Sequence, residues 1–185
     1  MVREDGQSAY AGAVIPELVT ERLLLRGLEP SDLDAYAEIC ADPEVRRYLG
    51  DGSPLDRPGA WREMAVLLGH WCLRGFGQWA VVERGSGELV GRAGLWQPEG
   101  WPGLEVGWVL RRSHWGLGLA TEAAWAALGH AFETLGAQRL ISLIRPDNER
   151  SIRVAERLGE RYERQVELSR MLHHVYRIDR ASWAG

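Results

Sequence analysis

The fold turns on the stretch Leu104-Glu105-Val106-Gly107-Trp108-Val109-Leu110-Arg111-Arg112-Ser113-His114-Trp115-Gly116-Leu117-Gly118-Leu119-Ala120-Thr121-Glu122-Ala123. Its first seven residues alternate like a strand. Gly116 and Gly118 mark a loop, and a helix from about Leu117 to Leu135 follows. Glycine lets the backbone approach a ligand and adopt dihedrals that cost other residues more. The first N–H groups of a helix have no intrahelical acceptor. Together with the helix dipole they predict an anion site suited to a phosphate or pyrophosphate. An ordinary glycine-containing turn before a core helix is the plain alternative. No Gly-Lys-Ser/Thr follows, so this is not a Walker loop. A dinucleotide fingerprint would need its third glycine near Glu122 and an early strand before it.

Upstream, Thr20-Glu21-Arg22-Leu23-Leu24-Leu25-Arg26 reads as a strand with a buried centre. Pro30-Ser31-Asp32 opens a helix on which Leu33, Ala37 and Cys40 share a face. A short helix through Val45 and Tyr48 follows Asp42-Pro43, and residues 58 to 74 form a long one. Trp61, Met64, Ala65, Leu68, Trp71 and Cys72 recur there at helical spacing. Gln78 to Glu83 and Glu88 to Trp96 read as a hairpin around Arg84-Gly85-Ser86-Gly87. Downstream, Arg139 to Ile144 is a strand, and Asn148 to Leu158 is a helix closed by Gly159. Tyr162 to Leu168 and His173 to Ile178 are two further strands. Residues 1–19 show no period and are expected to form a flexible arm; residues 20–185 make a single domain. The order of elements predicts a mixed α/β sheet rather than a regular parallel βαβ series.

Composition narrows the class. The chain has 185 residues, 45% hydrophobic and 26% charged, which suits one globular domain. No apolar run approaches the roughly 20 residues of a membrane helix, and no signal h-region is visible. A cytoplasmic protein is expected. The net charge of −4 argues against non-specific nucleic-acid binding. Cys40 and Cys72 are isolated and are expected to be buried small apolar residues. Every basic residue apart from histidine is arginine. His173-His174 lacks a carboxylate or cysteine at ligand spacing, so no metal site is expected. No Gly-x-Ser-x-Gly elbow occurs, which argues against a serine hydrolase.

Several segments, taken jointly, resemble the Gcn5-related N-acetyltransferase superfamily. They are Thr20–Arg26, Gly91-Arg92-Ala93-Gly94, Glu105–Leu110, Trp115–Ala123, Asn148-Glu149-Arg150-Ser151 and Ala155–Gly159. They occur in the family's order and cover roughly residues 20 to 178. The resemblance is strongest to the branch that acetylates ribosomal-protein N-termini, with its many uncharacterised relatives. It implies a central, mostly antiparallel, V-splayed sheet flanked by helices, the acyl-CoA N-acyltransferase fold. It implies acetyl-CoA, or another short acyl-CoA, as cofactor. The family's loop usually reads Gln/Arg-x-x-Gly-x-Gly/Ala; here Trp115, Gly118 and Ala120 hold the first, fourth and last places. By resemblance the loop Trp115, Gly116, Leu117, Gly118, Leu119, Ala120 and Thr121 holds the diphosphate. The backbone of Trp108, Val109 and Leu110 pairs with pantetheine, and Asn148 and Ser151 lie near the thiol. A homodimer is a habit of the family.

An acetyl transfer needs a base for the amine, a donor for the oxyanion and an acid for the thiolate. Glu105, at the start of its strand, is the candidate base; a solvated carboxylate, or one that only binds a cationic substrate, is the alternative. Ser151 is the candidate acid by resemblance, and a helix first-turn residue otherwise. Asn148 could equally be only the N-cap of that helix. A backbone N–H near Val109 is expected to hold the oxyanion. His114 beside the loop supports a phosphate, acts as a base, or is simply a surface residue. Trp61, Trp71 and Trp125 are expected in the core. Trp96 and Trp101 either pack in the core or line an acceptor pocket, where aromatic faces next to Glu105 would suit a cation. The acceptor is a primary amine, on a protein N-terminus or a small metabolite or antibiotic. The competing readings are a non-catalytic acyl-CoA sensor and a nucleotide-binding protein using the same loop.

Overall fold

In the computed structural model, which describes residues 14–183, the period-two stretches form strands and the period-3.6 stretches form helices. The strands are β1 (Leu18–Val19), β2 (Leu23–Arg26), β3 (Gln78–Glu83), β4 (Leu89–Trp96), β5 (Glu105–Leu110), β6 (Arg139–Ile144), β7 (Arg161–Leu168) and β8 (Met171–Asp179). The helices are α1 (Leu33–Ala41), α2 (Pro43–Arg46), α3 (Arg57–Arg74), α4 (Leu119–Gly129) and α5 (Glu149–Arg157). A π-helical stretch, His130–Thr134, extends α4. Asp42 and Asp56 cap α2 and α3, accepting the Glu44 and Gly59 N–H groups at 2.8 Å each. Pro near each start, and Gly75 in the left-handed region at the end of α3, complete these stop signals.

The strands form one eight-stranded sheet in the order β1-β2-β3-β4-β5-β6-β8-β7. Every neighbouring pair is antiparallel except β5 and β6. Strand alternation divides the apolar residues between two faces. Leu23, Leu25, Trp79 and Val81 pack on one face with Ala123, Ala127 and Leu128 of α4. Leu24, Ala80 and Val82 turn to the other face, against α1 and α3. The mixed, open, helix-flanked sheet expected from the sequence is thus present.

Four expectations need correction. Residues 1–13 of the expected arm lie outside the described residues, but Leu18–Val19 of the same segment pair with Leu24 and Leu25 as an edge strand. The Pro16 carbonyl beside them accepts the Trp79 indole N–H at 2.7 Å. On α1 the buried stripe is Tyr36, Ile39 and Cys40 rather than Leu33, Ala37 and Cys40. On α3 the buried stripe runs Ala60, Met64, Leu67, Trp71. Trp61 and Cys72 sit one residue out of that phase, so Trp61 is 59% exposed and Cys72 is exposed as well. Trp125 is 37% exposed on α4, whose buried face is alanine and leucine.

This phase difference has a measurable consequence. Trp71 is buried against Trp79, and its indole N–H donates to the Gln78 carbonyl at 2.9 Å. Trp71→Ala should cost about 3–5 kcal/mol of unfolding free energy, as buried aromatic truncations do. Trp61→Ala should cost no more than about 0.5 kcal/mol, the usual range for exposed sites. Urea denaturation of the two variants checks this, and equal losses would contradict the assigned phase.

Candidate active site

The loop between β5 and α4 is a chain of free donors. Gly116 and Gly118 take φ of +79° and +80°, a region that costs other residues about 1–2 kcal/mol. The turns keep the backbone from closing on itself. Among the described residues, none of the amide N–H groups from residue 116 to 121 has a hydrogen-bond partner; the first intrahelical bond runs from Glu122 to Gly118 at 3.1 Å. Trp115 anchors the loop, its indole N–H donating to the Leu110 carbonyl at 2.8 Å. The Arg150 guanidinium lies over its ring at 4.5 Å.

A clasp from the first strand region holds the far side of this loop. Arg22 Nη1 donates to the Leu117 carbonyl at 2.8 Å, and Arg22 Nε donates to Glu122 Oε2 at 2.7 Å. Thr20 Oγ1 donates to Glu122 Oε1 at 2.6 Å. Burial works against the Glu122 charge, but these bonds hold its carboxyl below the ordinary range. The negative charge at the start of α4 is therefore matched by Arg22, leaving the loop amides open. The clasp turns Leu117 away. It alone among the loop residues from Trp115 to Thr121 does not line the cleft.

Beside the loop the sheet opens. β5 and β6 pair only at Glu105 and Ile141, where the Ile141 N–H donates to the Leu104 carbonyl at 2.9 Å. Two carbonyls on the opened edge are then met by side chains. Ser142 Oγ lies 2.8 Å from the Val106 oxygen, and Trp115 takes the Leu110 oxygen. The alternation of a strand places Trp108's N–H and C=O on this same edge, between those two. Val109 faces the other way. Its carbonyl oxygen meets the space where a Cβ on Gly91 of β4 would stand. The backbone expected at Val109 is thus committed to β4, and the open amides beside it belong to Trp108 and Leu110.

Glu105 sits at the floor of the opening. Trp101 Nε1 donates to its Oε2 at 2.7 Å, and the Leu143 N–H makes a long 3.5 Å contact with Oε1. Burial raises its carboxyl to about 7, against these stabilising bonds. Glu160 lies behind it, buried, its Oε1 3.0 Å from Ser142 Oγ and its Oε2 without a partner among the described residues. A hydroxyl has one hydrogen, and the Val106 carbonyl can only accept. The three-way contact is satisfied when Ser142 donates to Val106 and a neutral Glu160 donates to Ser142. Burial pushes Glu160 up to about 8, against the lowering effect of the Ser142 bond and with the nearby Glu105 adding to it. The neutral form that this arrangement needs is thus available at neutral pH.

A cleft of about 1100 Å³ joins these parts. It is lined by Glu105, Trp108 to Leu110, Trp115, Gly116, Gly118 to Thr121, Asn148, Ser151, Trp96, Trp101 and His114. Asn148 Oδ1 accepts the Ser151 N–H at 3.3 Å and caps α5, while the Ser151 hydroxyl makes no hydrogen bond among the described residues. Trp96 stacks on His70 with ring centroids 4.4 Å apart. His70 is pinned at both nitrogens, 2.8 Å from the Phe76 carbonyl and 3.0 Å from the Gln97 N–H. Tyr48 crosses the cleft, its hydroxyl donating to the Asp147 carbonyl at 3.1 Å. The sequence reading missed Ser142, Glu160, Arg150 and a polar cluster of Arg46, Glu63, Gln78 and Arg92 in the same cleft. None of these falls in a recognisable motif; only the resemblance, which quoted Arg92 and Arg150 within its segments, carried a trace of them. No group of three His, Cys, Asp or Glu among the described residues could hold a metal, and no helix there is long and apolar enough to cross a membrane.

Comparison with known proteins agrees with this geometry. The model of the Acetyltransferase (GNAT) domain matches residues 22–161. The uncharacterized protein YkkB of Bacillus subtilis is 33% identical over 155 residues, covering 81% of this chain and 88% of that protein. The crystal structure of an acetyltransferase from Agrobacterium tumefaciens str. C58 superposes with a TM-score of 0.78 at 37% identity, over 89% of this chain and 94% of that one. The ribosomal L7/L12 α-N-protein acetyltransferase RimL, solved with coenzyme A, shares the fold at a TM-score of 0.73 and 20% identity, over 89% of this chain and 97% of that one. The splayed sheet and its loop of open amides are accordingly those of a GNAT acetyltransferase, the family to which this chain belongs.

Proposed function

We propose that the protein moves an acetyl group from acetyl-CoA to a primary amine by direct attack, with no covalent enzyme intermediate. The observation that carries this reading is the unpartnered amide run from 116 to 121, set beside an open strand edge that leads to a recessed carboxyl. The donor set fits coenzyme A. Helix-start amides suit a diphosphate, and open strand groups suit a ligand with amides of its own. Gly116, Gly118, Leu119, Ala120 and Thr121 would hold the diphosphate, and Trp108 and Leu110 the pantetheine arm.

Glu105 would take the proton from the amine, directly or through water. A base works best when its pKa lies near the operating pH, and Glu105 is raised to about 7. An α-amine, with a pKa near about 7.7 to 8.0, would still hold its proton at neutral pH, so such a base is needed. The free amide of Trp108 or Leu110 would meet the oxyanion, and Ser151 would return a proton to the thiolate. Trp96 and Trp101 would wall the acceptor end. The acceptor is a protein N-terminus or a small amine. A second reading, an acyl-CoA sensor without turnover, draws on the Trp101–Glu105 bond, which occupies one oxygen of the proposed base.

Acetyl-CoA at about one hundred times its Kd should stabilise the protein by about 2.7 kcal/mol, roughly 5–10 °C in Tm. ATP and NAD should not. Gly118→Ala, which forces a Cβ into the left-handed region and shifts the amides, should weaken coenzyme A binding about tenfold. A thermal-shift series checks both, and an equal response to ATP would favour a nucleotide site.

Glu105→Gln should lower kcat by about 10²–10⁴ while coenzyme A affinity stays within twofold. The base must be ionised, so kcat/KM should fall below pH about 7, and the variant should lack that limb. Free coenzyme A release across a pH series and a broad amine panel measures this. Binding without release from any amine would favour the sensor.

A further inference from the structure

The acceptor end of the cleft holds more hydrogen-bond donors than it can satisfy. Glu63 on α3 takes three of them. Tyr36 Oη donates to its Oε1 at 2.6 Å, Arg92 Nη2 to the same oxygen at 3.2 Å, and Arg46 Nη1 to Oε2 at 2.7 Å. Arg92 spends its other groups on Tyr36 Oη at 2.9 Å and on Gln78 Oε1. Arg46 Nε reaches the Ser53 carbonyl at 3.2 Å. What is left is Arg46 Nη2 and Gln78 Nε2, neither of which has a partner among the described residues. Both are donors, and neither atom is sealed from solvent.

Charge points the same way. Two guanidiniums share one carboxylate, which the flanking cations hold at about 2 although burial opposes its charge. Side-chain exposures of 8% for Arg46 and 12% for Arg92 mean that the surplus positive charge is poorly screened. Gln78 Nε2 and Glu105 Oε1 both come within 4 Å of the Cβ position of Gly107, so the row begins beside the proposed base. It runs from there through Arg92 and Glu63 to Arg46. Asp51 is exposed and near enough to Arg46 to feel its charge, and Glu44, Asp147 and Glu149 line other parts of the cleft. Glu105, at the inner end of the row, is a neutral acid below about pH 7.

We infer that the acceptor is an amine whose own molecule carries a carboxylate, which the Gln78–Arg92–Arg46 row receives. This rests on the acyl-transfer reading and narrows its acceptor. Guanidinium and carboxylate match in planar, charge-assisted pairs that a neutral amide cannot copy. The carboxylate could belong to a free amino acid or to an acidic residue near a protein N-terminus, and the two sources are separable.

The test compares matched acceptors with wild-type protein and acetyl-CoA. One arm uses ω-amino acids of increasing chain length against their carboxamides. The other uses short peptides with Asp or Asn at the second position. Rates of coenzyme A release are corrected for the unprotonated fraction of each amine. At the best spacing, kcat/KM should favour the carboxylate at least tenfold, and the arm that shows it names the source. Arg46→Gln should shrink that ratio severalfold and Arg46→Lys less, in protein that still binds coenzyme A. The same ligands, titrated by thermal shift in the presence of coenzyme A, give a reading that needs no turnover. Equal shifts from acid and amide at every spacing overturn the inference even where coenzyme A is released. Absence of release from all amines, with the acid still preferred in binding, counts against acyl transfer alone.

Discussion

β5 and β6 meet at Glu105 and Ile141 and then part, and the site follows from how the exposed edge is treated. A buried backbone group without a partner costs about 1–3 kcal/mol, so a split sheet is unstable unless something meets its open groups. At the inner end Ser142 meets the Val106 carbonyl. At the outer end Trp115 reaches back from the loop to the Leu110 carbonyl. Only the middle, at Trp108, is left without a side chain of its own. The protein supports the split at both ends and leaves a short bare edge between them, which is where an amide-bearing ligand would complete the sheet.

The two ends are linked to different charge arrangements. Outward, the edge runs into the free amides of the loop and the start of α4. The carboxylate there, Glu122, would repel a phosphate if unpaired, but Arg22 and Thr20 engage both of its oxygens. Inward, the edge runs to two carboxyls in a poorly solvated pocket. Burial raises the cost of ionising each, Glu105 adds to that cost at Glu160, and Ser142 joins Glu160 to the strand that carries Glu105.

What the sequence revealed and what it hid divide along a physical line. Local spacing carried the glycine loop, the strand before it and the cap at Asn148, because each is set by neighbours in the chain. The splay was legible only through the family resemblance, since no local pattern reports that two strands separate. Phase was the weakest point. On α3 the expected stripe held Met64 and Trp71 correctly but took Trp61 and Cys72 as buried members in place of Ala60 and Leu67, because both sets recur at helical spacing. Parity failed likewise at Val109, whose side of the strand depends on which neighbour it bonds. β1 is two residues long and carries no period at all. Glu160, just after a helix-ending glycine, reads as a surface acid until Ser142 is placed against it. The Arg22–Glu122 clasp joins residues 100 apart in the chain and leaves no trace in spacing.

The acceptor wall ties the charge arrangement to the chemistry. Trp101 spends its indole N–H on Glu105, and Trp96 is stacked on a doubly pinned His70, so these rings frame the cleft rather than form an open cage for a cation. The nearest fixed charge is instead positive, at Arg92. Such a neighbour disfavours the ammonium form of an incoming amine and so raises the fraction able to attack. A base near 7 is then strong enough: a carboxylate held ionised by a cation would be a weaker base, and one with a still higher pKa would be slower to give its proton back. A carboxylate elsewhere on the acceptor would offset the same positive charge during binding, without standing where the amine must lose its proton. Attraction for the acceptor and activation of its amine would then draw on one surplus charge, separated along the cleft by the length of the Gln78–Arg92–Arg46 row.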